Sequence, residues 1–262
     1  MLNLLKGEFR KILKSKSIII MFVILTVTSF LIIAVEKLSA ELVLALGGAA
    51  LGEETVEMPL DRIINNSIPL SSLTTVLIVF LSLWNVSDYS SGCIRNMLSR
   101  GASRESIYFA KYIVSMVITI VATLFITIMN LAFNAMFFKI TGGFNLEAFS
   151  IYMMEIVITL AQATAFFGVI MFFQKVALGI IINLVASNVF TAIFTIVDLV
   201  RDTVTKTESS FDFVDLSLST VLARVATGSF DTSIILKMNL ISLGYIVVFL
   251  LIGFFGSRKK EY

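Results

Sequence analysis

Residues 151–200 read IYMMEIVITL AQATAFFGVI MFFQKVALGI IINLVASNVF TAIFTIVDLV. Glu155, Lys175 and Asp198 are the only charged residues in this stretch. About 20 apolar residues of α-helix suffice to cross the hydrocarbon core of a bilayer, so the stretch predicts two spans, 151–173 and 176–200. Gln174 and Lys175 alone separate them, which requires a tight helical hairpin. A single broken or re-entrant segment is the alternative.

Working outward, further apolar runs lie at 18–36, 68–86, 108–138 and 239–256. The 108–138 run is long enough to tilt or to project beyond the bilayer. The expected fold is therefore an all-α membrane protein of six transmembrane helices, forming a single domain over residues 1–262. Composition agrees. Hydrophobic residues make up 58% and charged residues 15%, with a mean hydropathy of +0.97. Soluble domains are about half apolar and a quarter charged.

The basic residues give the orientation. Of the 20 Lys and Arg, seven (Lys37, Arg62, Lys139, Arg201, Lys206, Arg224 and Lys237) lie in one set of loops, and the other 13 lie at the termini and in the alternate loops. The positive-inside rule places the richer set, with both termini, in the cytoplasm. The N-terminus has the basic start of a signal peptide, and Ser39-Ala40 resembles a cleavage region. The apolar run is too long for a signal core, however, and five spans follow it, so no cleavage is expected. Residues 1–16 read as an amphipathic interfacial helix, with Leu2, Leu5, Phe9, Ile12 and Leu13 on one face and Lys6, Arg10, Lys11 and Lys14 on the other. A plain positive flank explains the charge but not the apolar spacing.

Two segments on the opposite side exceed a turn. Within 37–67, Leu38, Leu42, Val43 and Leu46 have helical spacing and precede Gly47-Gly48 and the acidic Glu53, Glu54, Glu57 and Asp61. Within 201–238, Val214, Leu218, Val221, Leu222 and Val225 form a second helical stripe. Both are expected to form short helices on the outer membrane surface.

Little in the chain supports catalysis. There is no histidine and a single cysteine, Cys93, so neither an HExxH site, a Ser-His-Asp triad nor an internal disulfide can form. No GxxxxGK[ST] phosphate loop occurs. No nucleic-acid partner and no resident cofactor or metal are expected. Polar residues within the spans mark a candidate translocation path: Asn130, Asn134, Glu155, Gln162, Asn183 and Asn188. Amides also serve as ordinary interhelical hydrogen-bond glue, and Glu155 is close enough to a span end to snorkel to water. Ala161, Ala165 and Gly168 indicate close helix packing.

The connection between spans two and three, SDYSSGCIRNMLSRGASRESIY (87–108), is the most informative. Asp88, Ser90 or Ser91 can cap a short helix, on which Ile94, Met97 and Leu98 share one face. Gly101 suits its C-terminal stop, and Ser103 can cap the next helix. The product is a short amphipathic helix held parallel to the membrane, with Arg95, Arg100 and Arg104 facing solvent or headgroups. The alternative is an ordinary positive-inside loop.

The pattern D-Y-x-x-G-x-I-R-x-x-L-x-x-G-x-S-R-x-x-I-Y-x-x-K, from Asp88 to Lys111, resembles the corresponding loop of type-two ABC exporter permeases. The N-terminal LLKGEFRKILKSKS before span one is similar to the start of small bacterial members. The resemblance implies that the loop is a coupling helix seated on a separate ATPase subunit, with the N-terminal helix contributing to the contact. It implies coupling positions at Asp88, Gly92, Ile94, Arg95, Leu98, Gly101, Ser103 and Arg104, and Met97 joins them on the helix's apolar face. It also implies two cytoplasmic ATPases that bind ATP and Mg, a second identical or similar permease, a bacterial cytoplasmic membrane, and export of a hydrophobic or amphipathic substrate such as a peptide. A non-transporting membrane scaffold or sensor is the competing expectation.

Overall fold

The computed structural model describes residues 2–46, 57–69, 72–143, 146–205, 213–225 and 232–259. Six of its helices are long and apolar enough to cross a membrane: α2 (Lys16–Leu46), α4 (Leu73–Ser90), α6 (Arg104–Phe137), α7 (Leu146–Phe173), α8 (Val176–Thr205) and α10 (Thr232–Lys259). The short helices are α1 (Leu2–Leu13), α3 (Leu60–Asn66), α5 (Cys93–Ser99) and α9 (Leu218–Val225). A parallel two-stranded ribbon pairs β1 (Glu57–Pro59) with β2 (Lys139–Thr141).

The hairpin forms as the sequence requires. Gln174 takes a left-handed φ of 54°, its N–H donates to the Ile170 carbonyl at 2.8 Å, and α8 begins two residues later. α7 is the central helix. Its Ile158, Ala161 and Phe167 are fully buried, and its most extensive contact is with α10. Two glycines set that approach: a Cβ at Gly168 would lie 2.4 Å from the Phe249 carbonyl oxygen, and one at Gly253 would lie 2.9 Å from Gly168 Cα. α8 lies at the rim, with Ile181, Val185, Val189, Ile193 and Ile196 exposed. An outward apolar surface of this kind suits lipid.

Several expected boundaries move. The apolar stripe Leu38–Leu46 is not a separate surface helix but the continuation of α2. Gly47-Gly48 and Glu53-Glu54 lie outside the described residues. Span two starts at Leu73 rather than 68, because Ile68 and Pro69 belong to the turn that follows α3. It runs on to Ser90, which moves Asp88 from the loop into the last turn of a helix. The stripe in 213–225 does form α9, but Leu218, Val221 and Leu222 are buried against the bundle rather than laid on a surface. Tyr245 on α10 also donates to the Leu216 carbonyl at 2.8 Å.

Helix α1 is amphipathic, but not in the expected way. Leu5, Phe9 and Ile12 do pack inward, whereas Leu2 and Leu13 are exposed. The inward face also carries Glu8, which is 4% exposed, while the exposed Lys11 places its ammonium 4.9 Å from the centre of the Trp84 ring.

Candidate functional site

The loop between α4 and α6 is built from two left-handed glycines and two caps. Gly92, at φ 70°, leads into α5 without a side-chain cap, so none of the candidate caps Asp88, Ser90 and Ser91 serves. α5 ends in a Schellman motif. The Ala102 N–H donates to the Met97 carbonyl at 3.1 Å, the Gly101 N–H donates to Leu98 at 3.0 Å, and Gly101 sits at φ 88°. A left-handed backbone at this position is why glycine stands there. Ser103 then caps α6, its Oγ accepting from the Ser106 N–H at 3.2 Å.

α5 therefore presents a defined face. Arg95, Asn96, Ser99 and Arg100 are exposed, Met97 and Leu98 are half-buried, and Ile94 is 3% exposed. Of the apolar stripe expected to meet an ATPase, Ile94 is turned into the protein while Met97 and Leu98 stay partly exposed, and the polar residues face away. At the neighbouring α6 terminus, Arg104 and Glu105 are exposed. Arg104 Nη1 donates to the Arg258 carbonyl at 3.1 Å, and Glu105 pairs with Arg258. These contacts tie the end of α10 to the start of α6.

Behind α5 lies a buried charge cluster that the sequence pattern did not reveal. Asp88, 2% exposed, accepts from Lys11 through Oδ1. Through Oδ2 it accepts from Lys111 at 2.5 Å. Lys111 is fully buried and lies 3.9 Å from Glu8 Oε2. Two carboxylates and two ammonium groups thus join α1, α4 and α6. Burial, and then the neighbouring Lys111, pull the Lys11 ammonium below the usual lysine range, while Glu8 acts in the opposite direction. Isolated charges are very costly to bury, whereas a balanced and hydrogen-bonded set can be tolerated. Lys111 closes the loop pattern and Glu8 and Lys11 are one helical turn apart on α1. Those spacings were the only available signal, and both lysines instead read as topogenic charge.

The polar span residues do not converge on one path. Asn130 accepts from Ser29, and its Nδ2 donates to the Ser67 carbonyl at 2.9 Å. Asn134 Nδ2 donates to the Asn130 carbonyl at 2.8 Å, while its Oδ1 is buried without a hydrogen-bond partner among the described residues. Both asparagines line a cavity of about 260 Å³ at the end of the bundle away from α5. Gln162 and Asn183 line a second, mainly apolar cavity of about 270 Å³ between α7, α8 and α10. Asn188 is exposed and donates to the Leu184 carbonyl. Glu155 does not snorkel. It is 0% exposed, and neither carboxyl oxygen has a hydrogen-bond partner among the described residues. Asn85, a span-two amide missing from the expected set, is also fully buried and donates to Ser115 Oγ at 3.2 Å.

The family described as ABC-2 family transporter protein matches residues 4–197, a stretch that includes most of α1, the charge cluster and α5. No curated protein matches the chain. Permeases of that family are membrane subunits that work with ATPase subunits in ABC transporters. With six membrane-length helices and the match covering most of its length, the chain belongs to the ABC-2 transporter family as a permease.

Proposed function

We propose that the chain is the membrane subunit of an ATP-driven exporter, with α5 and both termini in the cytoplasm of a bacterial cell. Two such permeases, identical or similar, work with two separate ATPases, and the substrate is hydrophobic or amphipathic, a peptide being one such class. The ATPases bind ATP and Mg, whose hydrolysis supplies the driving force. The carrying observation is the outward polar face of α5, held on a framework that a buried charge cluster makes rigid. A force applied to Arg95, Asn96, Ser99 and Arg100 passes through Gly92 into α4 and through the Gly101 stop into α6. Lys11, Asp88 and Lys111 hold α1, α4 and α6 together, so the three helices respond as one body. Gly92, Gly101 and Ser103 shape this connection, while Asp88 and Ile94 support it from inside.

The test is co-purification of the permease with an ATPase encoded beside it, followed by substrate-stimulated hydrolysis. Arg95→Glu/Arg100→Glu should lower ATPase recovery about tenfold or more at unchanged permease yield, since charged interface contacts are worth a few kcal/mol. Ile94→Asp, at a buried position, should instead reduce the yield of folded permease. Full ATPase recovery and transport in the Arg95→Glu/Arg100→Glu variant would exclude this face as the docking surface.

A further inference from the structure

The 260 Å³ cavity lies between the C-terminal part of α2, the end of α6, and the β1–α3 segment. It holds Glu36 from α2 and Arg62 from α3. Two opposite charges thus share a cavity, yet no direct ion pair joins them. A third polar element is Asn134, 5% exposed, whose Oδ1 lacks a donor. Its neighbour Asn130 has its polar atoms engaged by Ser29 and Ser67 and so fixes the wall. Ile33, Met58, Ile63 and Phe138 supply an apolar side. The Glu57–Lys139 pair, at 2.6 Å, braces the ribbon beside it.

A buried amide oxygen without a donor is unfavourable, and beside it stand the half-buried Glu36 and the exposed Arg62, close enough to feel each other's charge. One ligand would supply the missing donor and engage both charges: an ammonium donating to Glu36 and Asn134 Oδ1, and an acidic group received by the Arg62 fork. We propose that this cavity binds the head of a zwitterionic amphiphile, an ammonium and an acidic group a few bonds apart, with its apolar part against Ile33, Ile63 and Phe138. A phosphatidylethanolamine headgroup and a free zwitterion such as an apolar dipeptide share this chemistry. The site goes beyond the exporter reading and needs no ATPase, so the two can fail separately.

The full-length permease is placed in nanodiscs of equal phosphatidylethanolamine and phosphatidylcholine, and retained lipid is counted by native mass spectrometry. The trimethylated ammonium of phosphatidylcholine has no N–H to give, so wild-type protein should retain phosphatidylethanolamine by about tenfold if the lipid is the ligand. In pure phosphatidylcholine nanodiscs, leucyl-leucine is titrated against N-acetyl-leucyl-leucine, which lacks the ammonium. Thermal stabilisation by the free dipeptide alone identifies the soluble source. Glu36→Gln and Arg62→Gln should each abolish whichever preference is found. Both ligand comparisons use wild-type protein, so the ammonium requirement is tested even if a variant folds poorly. No preference in either arm, or a preference unchanged in both variants, would overturn the proposal.

Discussion

The two ends of this bundle treat their buried acids differently. At the α5 end, Asp88 and Lys111 are buried and bonded to each other, with Lys11 and Glu8 alongside. Toward the other end, Asn134 Oδ1 and both oxygens of Glu155 are buried without hydrogen-bond partners among the described residues, and a cavity separates α2 from α6 and α3. Glu8 Oε2 and Asn85 Oδ1 at the α5 end are likewise without hydrogen-bond partners among the described residues, so the contrast lies in the Asp88 carboxylate, which two ammonium groups hold. Unsatisfied groups cost stability and persist where something else uses them. The paired Asp88 fits an end where helices are held to one another, and the cavity fits an end that receives a ligand.

The sharpest way to break the comparison is at Asp88. Asp88→Ala would leave Lys111 buried with only the more distant Glu8, and Lys11 without its partner. Removing one member of a buried pair costs roughly 3–5 kcal/mol, so the variant should give little monodisperse permease by fluorescence-detected size exclusion. Asp88→Leu combined with Lys111→Met removes the central charges together and should recover much of the yield, because an apolar replacement of similar size is often neutral. If Asp88→Ala behaves like wild type, the cluster does not hold α1 to the bundle.

Packing gives a second, smaller contrast. A Cβ at Gly253 would lie 2.7 Å from Tyr108 Oη and 2.9 Å from Gly168 Cα. The tyrosine cannot easily yield, because its hydroxyl donates to the Leu250 carbonyl at 2.8 Å. Gly253→Val should therefore cost about 1–3 kcal/mol, read as a lower melting temperature. Ala40→Val, beside the far cavity, adds volume where space exists and should change the melting temperature little. Equal losses at the two positions would show that the ends are packed alike.

These contrasts were unevenly legible in the sequence. Spans longer than the bilayer is thick are set by composition, so six helices and the Gln174-Lys175 hairpin were readable residue by residue. The Gly101 stop and the Ser103 cap were readable because each depends on one residue's backbone or side chain. The direction of α5 was not. Ile94, Met97 and Leu98 share a face, but periodicity does not say whether that face meets the bundle or a partner. Asp88 was misplaced because a helix boundary read from hydropathy is uncertain by several residues. A shift of a single turn carried it from a surface cap to a buried ion pair. Its partners lie 77 and 23 residues away in the chain, a distance over which a single sequence carries no pairing signal.

A small effect is expected at Glu155, and its sign should be opposite to that at Asp88. Both are fully or nearly fully buried acids, so a rule based on burial alone predicts similar losses. Their surroundings differ. Asp88 receives two ammonium groups, whereas neither carboxyl oxygen of Glu155 has a hydrogen-bond partner among the described residues. A polar side chain in hydrocarbon without partners carries its desolvation cost uncompensated. Glu155→Met keeps the length of the side chain and removes that cost, so it should stabilise the permease by about 1 kcal/mol, a rise of roughly 2–4 °C in melting temperature by analogy with soluble domains of this size. Glu155→Gln retains a polar head and should gain less. The measurement is thermal unfolding of both variants beside wild type in the same detergent. A loss as large as that of Asp88→Ala would mean that Glu155 is paired with a bound cation or ordered water, as Asp88 is paired with its two lysines.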